Sequence, residues 1–279
     1  MHLIIQGADV STPDLKALHA LARGSAIERV DENAFRITNA DPATKDAVAA
    51  HCAKAQLDWG FVDGRRLSDF GLLAMDMDST LISIECIDEI ADFAGRKAEV
   101  AAVTAAAMRG EIDWPESLRQ RVAALRGLDV SALERVYADR LRLNPGAERL
   151  IAAARRAGLK TLLVSGGFTY FTDRVRERLK LDHAYSNVLV EEAGKLAGTV
   201  TGPLVDAQGK AAHVARLKCE LGLDASRVIA IGDGANDLPM MAEVGVSVAY
   251  HAKPVVKAKA TYALDYAGLD GLLALFAES

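Results

Sequence analysis

The sequence predicts a doubly wound α/β domain built on a parallel sheet, preceded by a small α+β domain, and two patterns carry that expectation. From Leu72 onward, short apolar runs end in polar or glycine-rich loops: Leu72 to Met75, Leu162 to Val164, Val228 to Ile231 and Val246 to Ala249, with helical stretches between them. Runs that are apolar on both faces suit strands of a parallel sheet covered by helices on either side. The first 70 residues read differently, as strand, helix, strand, strand, helix, strand: Leu3 to Ile5, Pro13 to Ala22, Ile27 to Val30, Phe35 to Thr38, Ala43 to Ala55 and Leu57 to Val62. That order is the split, ferredoxin-like one. The polar piece Asp63 to Asp69 reads as a linker, which divides the chain into residues 1–70 and 71–279.

Between the first two strands of the larger domain, residues 86–143 are helical in pattern and offer no strand. An insertion placed after the first strand lies over the C-terminal edge of the sheet, where open α/β sheets bind ligands, so this segment is expected to form a cap. Asn187 to Glu191 and Leu196 to Thr201, joined through Ala193-Gly194, read as a hairpin near the same edge.

Composition removes several classes of function. Apolar residues make up 51% of the 279 positions and charged residues 25%, a globular balance. The formal charge is −5 and no basic cluster occurs, which speaks against nucleic acid as the main partner. No apolar run approaches the roughly 20 residues that cross a bilayer, and Met1 to Val10 lacks a basic leader, so no membrane association and a cytoplasmic location are expected. Cys52, Cys86 and Cys219 form no CxxC pair and read as ordinary thiols.

The chemistry sits at strand ends. Asp76-Met77-Asp78-Ser79-Thr80 follows the first strand of the larger domain, and Gly232-Asp233-Gly234-Ala235-Asn236-Asp237 follows Val228 to Ile231. Taken singly, the first could be an N-cap pair and the second an Asx-capped turn. If both ends meet at one sheet edge, four carboxylates converge, and an oxygen-rich cluster of that kind suits Mg²⁺. Ser165-Gly166-Gly167-Phe168, also after an apolar run, can cradle a phosphate oxygen with a hydroxyl and two unhindered amides, though a plain tight turn has the same look. Lys210 precedes the Asp233 loop by one segment and is either a phosphate counter-charge or a solvated lysine.

These four motifs, in this order from Leu72 to the C-terminus, resemble the haloacid dehalogenase superfamily of phosphohydrolases. With Glu85 nine residues after Asp76, then Ser117-Leu118-Arg119 and Arg121, the chain looks like the phosphoserine phosphatases within it, and residues 1–70 are similar to the small regulatory-type domain of bacterial members. The resemblance implies Asp76 as nucleophile and Asp78 as acid and base. It also implies Mg²⁺ on the side chains of Asp76 and Asp233 and the backbone carbonyl of Asp78, with Asn236 and Asp237 supporting. Ser165, Gly166, Gly167 and Lys210 would hold phosphate oxygens, Glu85 the ammonium and Arg121 the carboxylate of phosphoserine. Met108 and Trp114 would line the cap wall, and Trp114-Pro115, where an aromatic Phe is more usual, either narrows the pocket or only opens a helix.

Two alternatives stay open. The same chemistry could serve another small phosphomonoester, such as phosphohomoserine, or transfer the phosphoryl group to an alcohol. The chain could instead be chiefly a serine sensor, although Asp76, Asp78, Lys210 and Asp233 are all in place. For the small domain, packing or homodimer formation competes with regulation. The implied role is the last step of serine biosynthesis.

Overall fold

The computed structural model describes residues 1–277, except that the side chain of Met108 lies outside the described residues. β1 (His2–Gln6), α1 (Thr12–Leu21), β2 (Ile27–Asp31), β3 (Ala34–Ile37), α2 (Lys45–Ala55) and β4 (Asp58–Val62) form an antiparallel sheet of order β2-β3-β1-β4. Helix α1 starts where the Ser11 hydroxyl accepts from the Asp14 amide and Pro13 occupies the first turn. Alternation along β1 divides its side chains: Leu3 and Ile5 join Leu18, Val48 and Cys52 in the small domain's own core, and Ile4 faces the larger domain.

Because β1 buries both faces, the small domain is not tethered loosely. The segment read as a polar linker is itself packed: Leu67 is buried and Ala277 donates its backbone N–H to the Arg65 carbonyl. Asp58, only 4% exposed, accepts from the backbone N–H groups of Asp265, Tyr266 and Ala267, and Gln6 Nε2 donates to the Gly271 carbonyl. Asp58→Ala leaves three amides without that acceptor, so a loss of about 3 kcal/mol is expected. A lowered denaturant midpoint would show it.

The larger domain contains β5 (Leu72–Met75), the cap helices α3 (Cys86–Phe93), α4 (Lys97–Met108), α5 (Trp114–Ala123) and α6 (Ser131–Arg135), then α7 (Ala147–Arg156), β6 (Lys160–Phe168), α8 (Thr169–Leu179), β7 (His183–Glu192) and β8 (Lys195–Thr201). It continues through α9 (Ala207–Glu220), β9 (Val228–Gly232), α10 (Leu238–Ala242), β10 (Val246–Tyr250), α11 (Pro254–Lys257), β11 (Tyr262–Leu264) and α12 (Gly271–Ala274). Its sheet runs β11-β10-β9-β5-β6-β7-β8, parallel except for β8. All four strand runs read from the sequence are here, and β5 lies at the centre with every residue buried. The chain leaves β5 toward β6 on one side and returns to β9 on the other, so the crevice at the C-terminal end of β5 is a topological switch point.

The cap's entry and exit run side by side: Ile82 bridges Leu143, Ser83 donates to the Arg142 carbonyl and Asn144 donates to that of Leu81. Among the described residues no helix is long and apolar enough to cross a membrane.

Candidate active site

Asp76 stands at the end of β5, its N–H held by the Ile231 carbonyl of β9 and its side chain buried. Its Oδ1 accepts from the Met77 amide at 2.7 Å and from Lys210 Nζ at 2.6 Å. Oδ2 takes no hydrogen bond among the described residues, and Asp76 lines a cavity of about 550 Å³. Lys210, at 1% exposure, also donates to Asp237 Oδ1 at 2.8 Å, while Asp237 Oδ2 accepts the N–H groups of Asp233 and Gly234.

Carboxylate oxygens of Asp76, Asp233 and Asp237 lie within 4.8 Å of one another. Asp78 lines the same cavity as Asp76 and Asp233, but its carboxylate stands outside this three-residue cluster. Asp78 turns its side chain elsewhere: Oδ1 accepts from the Cys86 amide at 3.0 Å and Oδ2 from the Ser165 hydroxyl at 3.1 Å. The cause is the backbone: Asp76 and Asp78 are extended, but Met77 between them is helical, so the strand's alternation no longer applies.

Burial, reinforced by the Asp237 charge, pushes the Asp76 carboxyl up, and Lys210 opposes the shift. Burial would lower Lys210, but the carboxylates of Asp237 and Asp76 outweigh it and hold the ammonium above its ordinary range. Asp233 is raised by burial and then by Asp237. Three carboxylates against one ammonium leave a buried surplus of negative charge. A hard divalent cation with oxygen ligands fits that deficit. Asp237 already accepts from Lys210 and two amides and is not among the residues that line the cavity, which leaves the carboxylates of Asp76 and Asp233 as the open donors.

The Ser165 motif also differs from expectation. It is the bulged end of β6 rather than a turn after it, and Ser165 is fully buried, with its hydroxyl donating to Asp78 and accepting the Gly167 amide at 2.8 Å. Gly166, Gly167 and Phe168 line the cavity, while Ser165 lies behind them. Gly167 is required for space, since a Cβ there would sit 2.7 Å from Asp78 Oδ2.

The cap supplies the other wall. Trp114 both opens α5, behind the N-cap Asp113, and lines the cavity, where a Cβ on Gly166 would come within 3.1 Å of its ring. Glu85 ends the entry linker and accepts from the Ser79 hydroxyl at 2.6 Å. It opens onto the cavity on one side, and enclosing protein together with the Asp78 charge pushes its carboxyl up to about 7. Arg121 lies across the cavity with its Nε donating to the Ser117 carbonyl, and burial lowers its guanidinium despite Asp88 and Glu85. Asn236 lines the floor.

Three lining or supporting residues were not anticipated. Asp88, three positions after Glu85 and thus on the same side of α3, lines the cavity, and burial raises it against the pull of Arg121. Lys253 reaches the cavity from the loop after β10, and the Thr80 hydroxyl donates to Asp233 at 3.1 Å. The i, i+3 spacing could have flagged Asp88; nothing local marks Lys253.

The sequence model of the haloacid dehalogenase-like hydrolases matches residues 73–242. The chain belongs to that family. Within these hydrolases it is 58% identical over 215 residues to a phosphoserine phosphatase of Polaromonas sp., covering 75% of this chain and 91% of the relative. Among solved structures, a probable phosphoserine phosphatase from Vibrio cholerae superposes with a TM-score of 0.86 at 37% identity, over 98% of this chain and 85% of the other. A phosphoserine phosphatase solved as a phospho-aspartyl intermediate analogue gives 0.69 at 35% identity, over 74% of this hydrolase and 99% of the other. Residues 3–48 match a family described only as a domain of unknown function.

Proposed function

We propose that the protein hydrolyses O-phospho-L-serine to L-serine and phosphate through an aspartyl-phosphate on Asp76, with Mg²⁺ as cofactor. The observation that carries this reading is one cavity with the open Oδ2 of Asp76 on its floor and, on its cap wall, Glu85 and Arg121, one charge of each sign for the substrate's ammonium and carboxylate. The names of the relatives support the same substrate.

In the first step Asp76 attacks phosphorus, the ester P–O bond breaks, and Asp78 gives its proton to the departing serine oxygen. In the second, Asp78 takes a proton from water, the water oxygen attacks phosphorus, and phosphate leaves Asp76. Ser165 and Cys86 N–H hold Asp78 in place between the two roles. Lys210, with the amide of Gly166, faces the phosphoryl oxygens; Ser165 can join them only by releasing Asp78, and the Gly167 amide only by releasing Ser165. The carboxylates of Asp76 and Asp233 and the carbonyl of Asp78 would hold a divalent cation, which would supply charge neutralisation and orientation of the phosphoryl group. Phosphate release from phosphoserine with Mg²⁺ or chelator, beside phosphothreonine, phosphohomoserine and a sugar phosphate, tests the assignment; equal rates on all four would refute the pocket. All three cysteines are free, in keeping with a cytosolic enzyme.

The Glu85 shift gives the pocket a pH signature. The substrate ammonium needs the carboxylate, so KM for phosphoserine rises as pH falls below about 7. In Glu85→Gln the dependence flattens, with KM higher above about pH 7 by about 30-fold if roughly 2 kcal/mol of charge pairing is lost, and the gap closes as pH falls. p-Nitrophenyl phosphate, which carries the same titrating phosphate but no ammonium, is the control, and an identical pH profile for both esters would remove Glu85 from recognition.

A further inference from the structure

We propose that Asn144 is a positioning residue that fixes the loop carrying Asp78 and locks it to the cap's hinge. Its Nδ2 donates to the carbonyl of Thr80 at 2.7 Å and to that of Ile82 at 3.2 Å, and its backbone N–H donates to Leu81 at 3.0 Å. One residue thus binds three successive carbonyls of the segment that joins the nucleophile to the cap. Both side-chain partners are acceptors, so the carboxamide has one satisfactory orientation, with its two N–H groups spent on them.

Asn144 is itself held from behind. The Pro145 carbonyl accepts from Leu269 at 2.8 Å, and Gly146, at φ 80°, lies so close to Asp270 that a Cβ would sit 2.1 Å from Oδ1. The cap's exit linker therefore reaches the catalytic loop from a braced position, immediately after the Ile82–Leu143 bridge between the linkers.

Asp76 and Asp78 depend on this brace unequally. Asp76 is fixed by the sheet, through Ile231, and by Lys210. Asp78 rides on the loop, and its own contacts run to Ser165 on the core and Cys86 at the start of the cap, so a shift of the loop re-aims the acid before it moves the nucleophile. The inference rests on the reading of Asp78 as the proton donor. It predicts a loss that grows with the leaving group's need for a proton.

The test compares Asn144→Asp, which keeps the shape but replaces two donors with an anion, with Asn144→Ala and Asn144→Ser. Turnover per folded enzyme is measured on an alkyl phosphate and on p-nitrophenyl phosphate, whose leaving group needs little protonation. For Asp and Ala variants, kcat/KM, which reports the first step without the second step that all esters share, is expected to fall about 10- to 100-fold on the alkyl ester and several times less on the aryl ester. Wild-type kcat/KM on the alkyl ester in Asn144→Asp, or equal losses of kcat/KM on both esters, overturns the proposal. Should Asn144→Asp not fold, Asn144→Ser decides by the same ratio. Any alkyl phosphate that the unaltered enzyme turns over will serve, so failure on phosphoserine itself would overturn the substrate reading and leave this comparison intact.

Discussion

Asp76→Asn abolishes turnover, with kcat lower by at least about 10⁴-fold as expected when a covalent nucleophile is removed, yet the folded state is no weaker. The amide keeps the carboxylate's size, and its oxygen can still accept from the Met77 amide and Lys210. What disappears is a buried charge beside Asp237, and Lys210 retains its other carboxylate partner. An acid whose folded pKa lies above its unfolded one costs stability fully above the folded pKa, and the cost vanishes below the unfolded pKa. The Asp76 shift has that direction. In chelator at pH 7, therefore, the variant melts at or above the parent's temperature, and the gap closes toward pH 4. No acid-stable phosphoryl label is trapped on the variant. A residual kcat above a hundredth of the parent's would show that another group attacks phosphorus.

Strand ends made the site legible in the sequence. Asp76 and Asp233 each follow a fully buried parallel strand, and adjacent parallel strands deliver their C-terminal ends to the same edge, so meeting there needed no knowledge of the helices between. Asp78 was legible as a participant but not in its direction, because that direction depends on a helical backbone at Met77, directly after a strand that the sequence gives no reason to end there. The present partner of Ser165 was hidden for a related reason: its hydroxyl donates to Asp78, a contact 87 positions away. The small domain's strand order was legible from local pattern, but its docking was not. The acceptor for the amides of residues 265–267 is Asp58, which looks like any polar residue before a strand. β11, three residues long, carries too little periodicity to be seen, and nothing local sets Lys253 apart from the solvated lysines of other loops.

Lys210→Met removes the lone ammonium from between Asp76 and Asp237, and its effect on stability should exceed that of any other single change at the site. Methionine fills much of the stem's volume, so the packing term is small. The electrostatic term is not: two buried carboxylates are left facing each other, and breaking a buried pair from one side costs about 3 to 5 kcal/mol. The molecule can escape part of this by binding a proton, since the burial and mutual repulsion that already raise Asp76 act unopposed once Lys210 is gone. In chelator the variant's deficit is therefore largest at neutral and higher pH and shrinks as pH falls toward the unfolded carboxylate value of about 4, which is opposite to ordinary acid denaturation. Adding Asp237→Asn should restore most of the stability, because one charge of the repelling pair is gone, while activity stays lost, because no ammonium faces the phosphoryl oxygens. Recovery of stability without recovery of turnover separates the two tasks of Lys210; if the double variant regained activity, the lysine would be a structural counter-ion and the phosphoryl charge would have to be met by a bound cation and the Gly166 amide alone.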